Sequence, residues 1–184
     1  MTKIVGISGS LRKASFNTGL LIAAGEGLPE GVRLEIATIR GIPLYDGDAE
    51  DADGIPPAVA ALKTAMISAD GILLATPEYN SGIPGVLKNA MDWASRPPSD
   101  SAKVFGNKPV AIIGASPGNL GTILAQNHWL PVMRTLGARL WSGGRLMVTQ
   151  AGTAFDAEGR LTDDATRQRL QTFMAGFAAF VRRG

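Results

Sequence analysis

The sequence predicts a doubly wound α/β fold, in which a five-stranded parallel sheet with strand order 2-1-3-4-5 carries helices on both faces. Two observations favour it. Strand-like apolar runs alternate with helical patterns along the 184 residues. The third and fourth runs, GILLAT and PVAIIGA, are continuously apolar, as strands covered on both faces require. The length suits a single domain over residues 1–184.

Each element has its own signal. The strands are predicted at residues 3–8, 33–38, 71–76, 109–115 and about 139–148. One helix is expected to begin near Asn17, another to cover about residues 83–95, and the last to cover about 163–182, where an apolar stripe at spacings of three and four indicates core packing. The acidic segment 45–57 contains Gly and Pro and is expected to be a solvated surface loop.

Composition excludes several classes of function. The formal net charge is +2, and the charged residues are dispersed apart from Arg182 and Arg183, so no nucleic-acid partner is expected. Cysteine is absent, which excludes disulfides, thiolate nucleophiles and Cys-ligated metals, and any redox chemistry must come from a cofactor. No apolar run could span a membrane, and Met1 leads directly into the first strand; a cytoplasmic protein without a membrane partner is expected.

The run KIVGISGSLRKASFNTGL has the pattern of a phosphate-binding loop between a strand and a helix. Unpaired N–H groups at a helix N-terminus attract an anion, and Arg12 adds a planar fork of donors. Further donors come from one amide and four hydroxyls, on Asn17, Ser8, Ser10, Ser15 and Thr18. This stretch therefore predicts a phosphate site.

The motifs that this loop lacks narrow the choice of ligand class. It contains neither GxGxxG nor GxxxxGK[ST], and the second strand ends without the acidic residue that holds an adenosine ribose. A dinucleotide in this loop and a P-loop triphosphatase are therefore both disfavoured. A phosphate held by hydroxyl groups favours flavin mononucleotide (FMN).

Two more polar loops should meet the first, because ligands of open parallel sheets bind beyond the carboxyl ends of the strands. The third strand ends in TPEYNSGIPG, where Tyr79 can pack on a flat ligand and Asn80 can bond its edge. The fourth strand ends in GASPGNLGT, where the backbone at Ser116, Gly118 and Gly121 could face the uracil-like edge of a flavin.

GSLRKASFN and TPEYNSGIPGVLKNAMDWASRP resemble the NAD(P)H-dependent FMN reductase family, which includes bacterial chromate and quinone reductases. The resemblance covers nearly the whole chain. It implies a flavodoxin-like fold, FMN as cofactor, and a homodimer or homotetramer with the flavin near the subunit boundary and the helix of residues 83–95 at an interface. The family's binding positions fall on Ser10, Arg12, Phe16 and Asn17 for phosphate, on Pro77, Glu78, Tyr79 and Asn80 for the ring, and on Ser116 and Gly118 in the third loop.

The expected reaction is hydride transfer from NADPH or NADH to flavin N5, followed by reduction of a quinone, free flavin or other small oxidant at the same face. Sharing that face implies ping-pong kinetics, and no side chain is assigned a catalytic role. The sequence selects neither the oxidant nor the nicotinamide. The alternative is a flavodoxin-type electron carrier; such carriers tend to be acidic, whereas this chain is slightly basic.

Two other chemistries are poorly supported. GASPG matches the GxSxG nucleophile elbow, but Pro117 lacks the N–H required for an oxyanion hole, and the only histidine, His128, follows Ser116 with no carboxylate between them. No metal site is expected, because DGDAEDAD lacks the spacing of a calcium loop. Pro131 is expected to kink or break the helix after the fourth strand.

Overall fold

The sheet of the computed structural model, which describes residues 1–183, has the order β2-β1-β3-β4-β5 and confirms the predicted topology. Its strands are β1 (Thr2–Ser8), β2 (Val32–Ala37), β3 (Gly71–Ala75), β4 (Pro109–Ala115), β5 (Arg139–Leu140) and β6 (Leu146–Val148). All pairings are parallel, and β6 is an extra strand that pairs with β4. The carboxyl ends of β1, β3 and β4 therefore lie side by side, and the loops that follow them share one edge of the sheet.

The helices are α1 (Phe16–Glu26), α2 (Gly47–Asp53), α3 (Pro57–Ile67), α4 (Gly85–Ala94), α5 (Pro98–Phe105), α6 (Ile123–Thr135), α7 (Ala151–Ala154) and α8 (Asp164–Arg182). The hydroxyl of Ser15 caps α1 and the carboxylate of Asp163 caps α8, each accepting a backbone N–H three residues on. Among residues 1–183, no helix is long and apolar enough to cross a membrane.

Two apolar clusters cover the two faces of the sheet, because successive strand residues point to opposite sides. On β1, Ile4 packs into the first cluster with α1 and α8, whereas Val5 packs into the second with α3, α4, α5 and α6. On β3, Leu73 joins the first cluster and Leu74 the second. Burial on both faces explains why these strands are continuously apolar.

The predicted fifth strand is divided, which corrects the expectation of one strand over residues 139–148. The indole of Trp141 turns away from the sheet onto α8, with its ring centroid 4.7 Å from that of Phe173. A Cβ at Gly143 or Gly144 would lie 2.5 or 2.9 Å from indole atoms, so only glycine lets the chain pass around the ring. Packing of this tryptophan therefore interrupts the strand.

The segment 45–57 was expected to be a solvated loop and instead contains α2. The carboxylate of Asp46 caps this helix by accepting the N–H of Asp48 at 2.9 Å. Glu50 is buried, accepts the hydroxyl of Tyr45 at 3.0 Å and pairs with Arg96 Nε at 2.7 Å. The anchor on Arg96 is distant in sequence, so local composition could not reveal it.

Helix α6 is continuous through Pro131, so of the two expected effects of this proline, a kink or a break, the break is wrong. A proline removes one hydrogen bond from the helical ladder. Trp129 and Met133, on either side of Pro131, are both buried in the second apolar cluster. Tertiary packing on both sides outweighs the loss of one hydrogen bond.

Candidate functional site

The first loop, residues 9–15, is held together by hydroxyl groups at its two ends. Thr18 Oγ1 donates to Ser8 Oγ at 2.9 Å, and the N–H of Ser10 donates to the same oxygen at 3.3 Å. Farther along, the N–H of Arg12 donates to Ser10 Oγ at 3.3 Å. Two of the predicted phosphate ligands, Ser10 and Thr18, thus also shape the loop.

The N-terminus of α1 has donors to spare. The hydroxyl of Ser15 accepts only the N–H of Thr18, at 3.2 Å, and within residues 1–183 the N–H groups of Phe16 and Asn17 have no hydrogen-bond partner. The first turn of α1 contains no acidic residue. This end of the helix therefore fits an anion from outside the chain.

A pocket of about 270 Å³ lies between the first loop and the end of β2. It is lined by Ser8, Ser10, Leu11, Arg12, Lys13, Thr18 and residues 36–40. Three of these residues, Arg12, Lys13 and Arg40, are cationic and none is acidic. The lining matches the chemistry of a phosphate monoester.

Asn17 and Phe16 use their side chains within the protein. The amide of Asn17 is buried and exchanges two hydrogen bonds with the backbone of Ala115, donating at 2.9 Å and accepting at 3.0 Å. The ring of Phe16 packs 5.2 Å from the ring of Phe155, centroid to centroid. The side-chain amide of Asn17 is therefore not available to a ligand, whereas the backbone N–H groups of both residues are free.

The second loop, residues 76–84, makes a tight turn at the end of β3. Tyr79 and Gly82 exchange backbone hydrogen bonds of 3.1 and 3.0 Å, and both central residues, Asn80 and Ser81, have positive φ angles of 50° and 61°. This is the conformation that favours asparagine in short turns. It leaves Tyr79 46% exposed at the sheet edge.

Glu78 joins the second loop to α6. Its Oε2 accepts the backbone N–H groups of Leu124 and Ala125, at 2.9 and 3.0 Å. Thr122 precedes α6 but its side chain makes no capping hydrogen bond, so the carboxylate of Glu78 caps this helix from a distant loop. The side chain predicted to contact a ligand is therefore engaged in holding two segments of the site together.

The first and second loops touch directly. The N–H of Gly9 donates to the carbonyl of Ala75 at 2.8 Å. A Cβ at Gly9 would lie 2.9 Å from the ring of Pro77 and 2.8 Å from Leu87, so this position is closed to other residues. Pro77 thus packs against the first loop rather than standing free.

The third loop, residues 116–122, follows β4. The N–H of Ser116 donates to Val148 at 3.0 Å, and its hydroxyl donates to the carbonyl of Gly121, whose φ is +61°. A Cβ at Gly118 would meet no atom within 4 Å, so this position faces open space. The backbone around Gly118 is the part of this loop that a flat ligand could approach.

Two residues at this edge escaped sequence reasoning. Arg40, in the loop after β2, donates from Nη2 to the carbonyl of Leu11 at 2.6 Å. Gln150 has a φ of 46°, donates its N–H to Gly118 O at 3.0 Å and its side-chain amide to Asn119 at 3.1 Å. The available signal was position, since both follow strands whose carboxyl ends reach the same edge.

The geometry does not support a hydrolase or a metal site. The hydroxyl of Ser116 is bonded to Gly121, and His128 is exposed on α6. Within residues 1–183, no group of three or more His, Asp or Glu side chains could hold a metal ion.

Comparison with known proteins decides the family. Residues 2–153 match the family described as NADPH-dependent FMN reductase. The chain belongs to this family. It is 45% identical over 181 residues to an NAD(P)H-dependent FMN reductase of Pseudomonas aeruginosa, covering 98% of this chain and 96% of that relative. It is 43% identical over 180 residues to a 2-hydroxy-1,4-benzoquinone reductase of a Burkholderia species, covering 98% of this chain and 96% of the relative.

A solved structure agrees with these relatives. The flavoenzyme NAD(P)H:(acceptor) oxidoreductase FerB of Paracoccus denitrificans superposes with a TM-score of 0.87 at 32% identity, covering 100% of this chain and 98% of that one. As a member of the FMN reductase family, the protein described here is an oxidoreductase that uses FMN and NAD(P)H. The family and these relatives thus favour an enzyme over an electron carrier.

Proposed function

We propose that the chain holds FMN across the three loops and catalyses transfer of a hydride from NAD(P)H to a quinone or a similar small oxidant. The phosphate is placed at Ser10, Arg12, Phe16, Asn17 and Thr18, the ring against residues 77–80, and the polar edge of the ring at Ser116, Gly118 and Gly121. The observation that carries the proposal is that the first turn of α1 has unpaired N–H groups and no acidic residue, and that it lies beside a pocket with three cationic side chains.

The donor set supports the phosphate position. Arg12 and the hydroxyl of Ser10 line the pocket, and the unpaired N–H groups of Phe16 and Asn17 lie at the helix end beside it. In this proposal Asn17 contributes its backbone N–H, because its amide is occupied by Ala115. A dianionic phosphate would satisfy these donors and the helix dipole together.

The second and third loops support the ring position. Tyr79 is half-exposed, and Gly118 leaves its backbone open to close approach. Glu78 fixes the second loop relative to the third, because it caps α6, the helix that follows the third loop; it is a positioning residue in this proposal. Pro77 is also a positioning residue in this proposal, because it packs against Gly9 and so holds the second loop against the first.

Bound FMN would supply the redox chemistry that links NAD(P)H to the oxidant, and the residues of the three loops would hold it in place. The protein fixes the orientation of the reactants and the electrostatics around them. We propose that nicotinamide and oxidant use one open face in turn, which predicts ping-pong kinetics. A quinone is the proposed oxidant because one relative at 43% identity is described as a benzoquinone reductase.

Steady-state kinetics test this reaction. NADPH is varied at several fixed concentrations of a benzoquinone, with enzyme saturated in FMN. Parallel double-reciprocal lines are expected, and intersecting lines would contradict the shared face. A single-turnover control under anaerobic conditions measures reduction of bound flavin by NADPH alone; without such reduction, the proposed order of steps fails.

We also propose a homodimer or homotetramer in which α4 contributes to an interface. Val86 on α4 is 39% exposed and Leu44, in the loop after β2, is 85% exposed. Light scattering at micromolar concentration should find an oligomer, and a Val86→Glu variant should weaken it.

We propose a cytoplasmic location, where nicotinamide co-substrate is available, and cell fractionation would test it.

A further inference from the structure

We propose that Arg40 is a positioning residue for the FMN phosphate, acting through the peptide bond between Leu11 and Arg12. This inference rests on the phosphate position proposed above. Arg40 lies outside both sequence motifs, in the loop that follows β2, and its guanidinium donates to the carbonyl of Leu11 at 2.6 Å.

The contact fixes a peptide plane next to the phosphate site. A trans peptide is planar, so its C=O and N–H point in opposite directions. When Arg40 holds the carbonyl of Leu11 on one side, the N–H of Arg12 is directed to the other, where it donates to Ser10 Oγ at 3.3 Å. The orientation of this peptide sets where the side chain of Arg12 leaves the loop.

No other long-range hydrogen bond restrains this part of the loop. Within the part of the chain that the structure describes, residues 10–14 make hydrogen bonds only to Ser8 and Ser10, apart from the contact with Arg40. Those two local bonds are both 3.3 Å long, whereas the bond from Arg40 is shorter and charge-assisted. Arg40 therefore supplies the main polar anchor for the loop.

Arg40 is itself well supported. Its backbone N–H donates to Thr38 Oγ1 at 3.1 Å, and the neighbouring Ile39 is buried in the second apolar cluster. The guanidinium thus extends from a fixed point of the backbone rather than from a free loop. This makes the contact with Leu11 a property of the fold, set by where β2 ends.

The charge of Arg40 is also uncompensated. Among residues 1–183, neither Arg40 nor the other two cations of the pocket, Arg12 and Lys13, pairs with an Asp or Glu. Three unpaired cations in one pocket repel one another until an anion arrives. A bound phosphate dianion would relieve this repulsion, so Arg40 contributes through its field as well as through its hydrogen bond.

Flavin binding to the full-length apo-protein tests the inference, with riboflavin, which lacks the phosphate, as the comparison ligand. Arg40→Ala should weaken FMN binding about tenfold, because it removes a charge-assisted hydrogen bond that is exposed to solvent. Riboflavin affinity should stay within about twofold of wild type, as expected for a change away from its contacts. Arg40→Lys keeps the charge without the planar fork and should recover part of the loss.

A matched control is Arg33→Ala, which removes an exposed arginine of β2 that pairs with Glu35 at 3.2 Å and lies outside the pocket. It should leave the affinities for FMN and riboflavin unchanged. Unchanged FMN affinity in Arg40→Ala would overturn the inference, as would equal losses for FMN and riboflavin. A raised KM for NADPH with unchanged FMN affinity would assign Arg40 to the nicotinamide nucleotide and overturn it too.

Arg12→Ala separates this inference from the proposal on which it rests. If Arg12→Ala weakens FMN binding and Arg40→Ala does not, the phosphate position stands and the role of Arg40 fails. If neither variant affects FMN binding, the phosphate position itself is wrong.

Discussion

The side-chain amide of Asn17 and the backbone of Ala115, 98 residues apart, form two reciprocal hydrogen bonds of 2.9 and 3.0 Å. Both groups are buried. The pair joins the start of α1 to the end of β4, and so it fixes the first loop relative to the third. The distance between the phosphate end and the ring end of the proposed site is set in part by this contact.

Removing the amide should therefore destabilise the protein. Asn17→Ala leaves a buried N–H and a buried C=O without partners, at a cost of about 2 to 4 kcal/mol in the free energy of unfolding. Asn17→Asp should also destabilise, because a carboxylate can accept from the N–H of Ala115 but cannot donate to its carbonyl. Urea denaturation of the apo-proteins measures both effects, and wild-type stability in Asn17→Ala would refute the assignment.

Glu78 offers a second test, at the other side of the site. Glu78→Ala removes the side-chain cap of α6 and should cost about 1 to 2 kcal/mol of stability. Glu78→Gln keeps an oxygen acceptor and should lose only the charge–dipole part, about 0.3 to 1 kcal/mol. FMN affinity should fall in the same order, since the second loop loses its anchor.

Glu158→Ala is the control for this pair, because the side chain of Glu158 is 67% exposed and pairs with the exposed Arg160 at 3.2 Å. Its stability should stay within about 0.5 kcal/mol of wild type. Equal stability of Glu78→Ala and Glu158→Ala would show that the cap does not stabilise α6.

The strand order and the meeting of three loops were predictable because both follow from apolar runs and their polar ends. Uninterrupted burial on two faces leaves a direct trace in GILLAT and PVAIIGA. The structural roles of Asn17 and Glu78 were not predictable in the same way. A polar residue in such a loop looks the same in sequence whether it faces a ligand or a distant backbone group, and only the fold brings Ala115 and Leu124 to them.

Contacts between distant residues also explain why two elements of the fold were predicted wrongly from the sequence. Helix α2 depends on the ion pair between Glu50 and Arg96, and the break between β5 and β6 depends on the packing of Trp141 on Phe173. Both are contacts between residues far apart in the chain. Local propensity carries no information about them, and it is outweighed when they form.

Two glycines separate stability from binding. A Cβ at Gly114 would lie 2.0 Å from Thr122 Oγ1 and 2.3 Å from the carbonyl of Thr76, so Gly114→Ala should cost about 1 to 3 kcal/mol or more through overpacking. Gly118→Ala meets no atom within 4 Å and should change stability by less than about 0.5 kcal/mol.

FMN affinity completes the comparison. If the flavin edge approaches the backbone at Gly118, the methyl group of Gly118→Ala should weaken FMN binding while the melting temperature of the apo-protein is unchanged. Thermal denaturation and flavin titration of the same preparation measure both. An unaltered FMN affinity would place the flavin edge elsewhere along residues 116–122.

Asp100 makes stability depend on pH far from the site. Its carboxylate accepts from Lys103 Nζ at 2.7 Å and from the buried Lys63 at 2.8 Å. The hydrogen bonds from Lys103 and then Lys63 lower the pKa of Asp100 from 3.8 to about 2. A carboxyl group whose pKa is lower in the folded state stabilises the fold above its unfolded pKa, and this contribution disappears as pH falls through the folded value.

The expected result is a pH-dependent difference between wild type and Asp100→Asn. The wild type should be more stable at neutral pH, and its advantage should shrink between about pH 4 and pH 2, where the carboxyl group gains a proton in both states. Urea midpoints measured along this range give the difference directly. Asp53→Asn, which alters an exposed carboxylate at the end of α2, is the control and should show no such trend. A constant difference from neutral pH to pH 2 would mean that Asp100 stabilises the fold by packing alone, since the charge-dependent part must vanish once the carboxyl group is protonated.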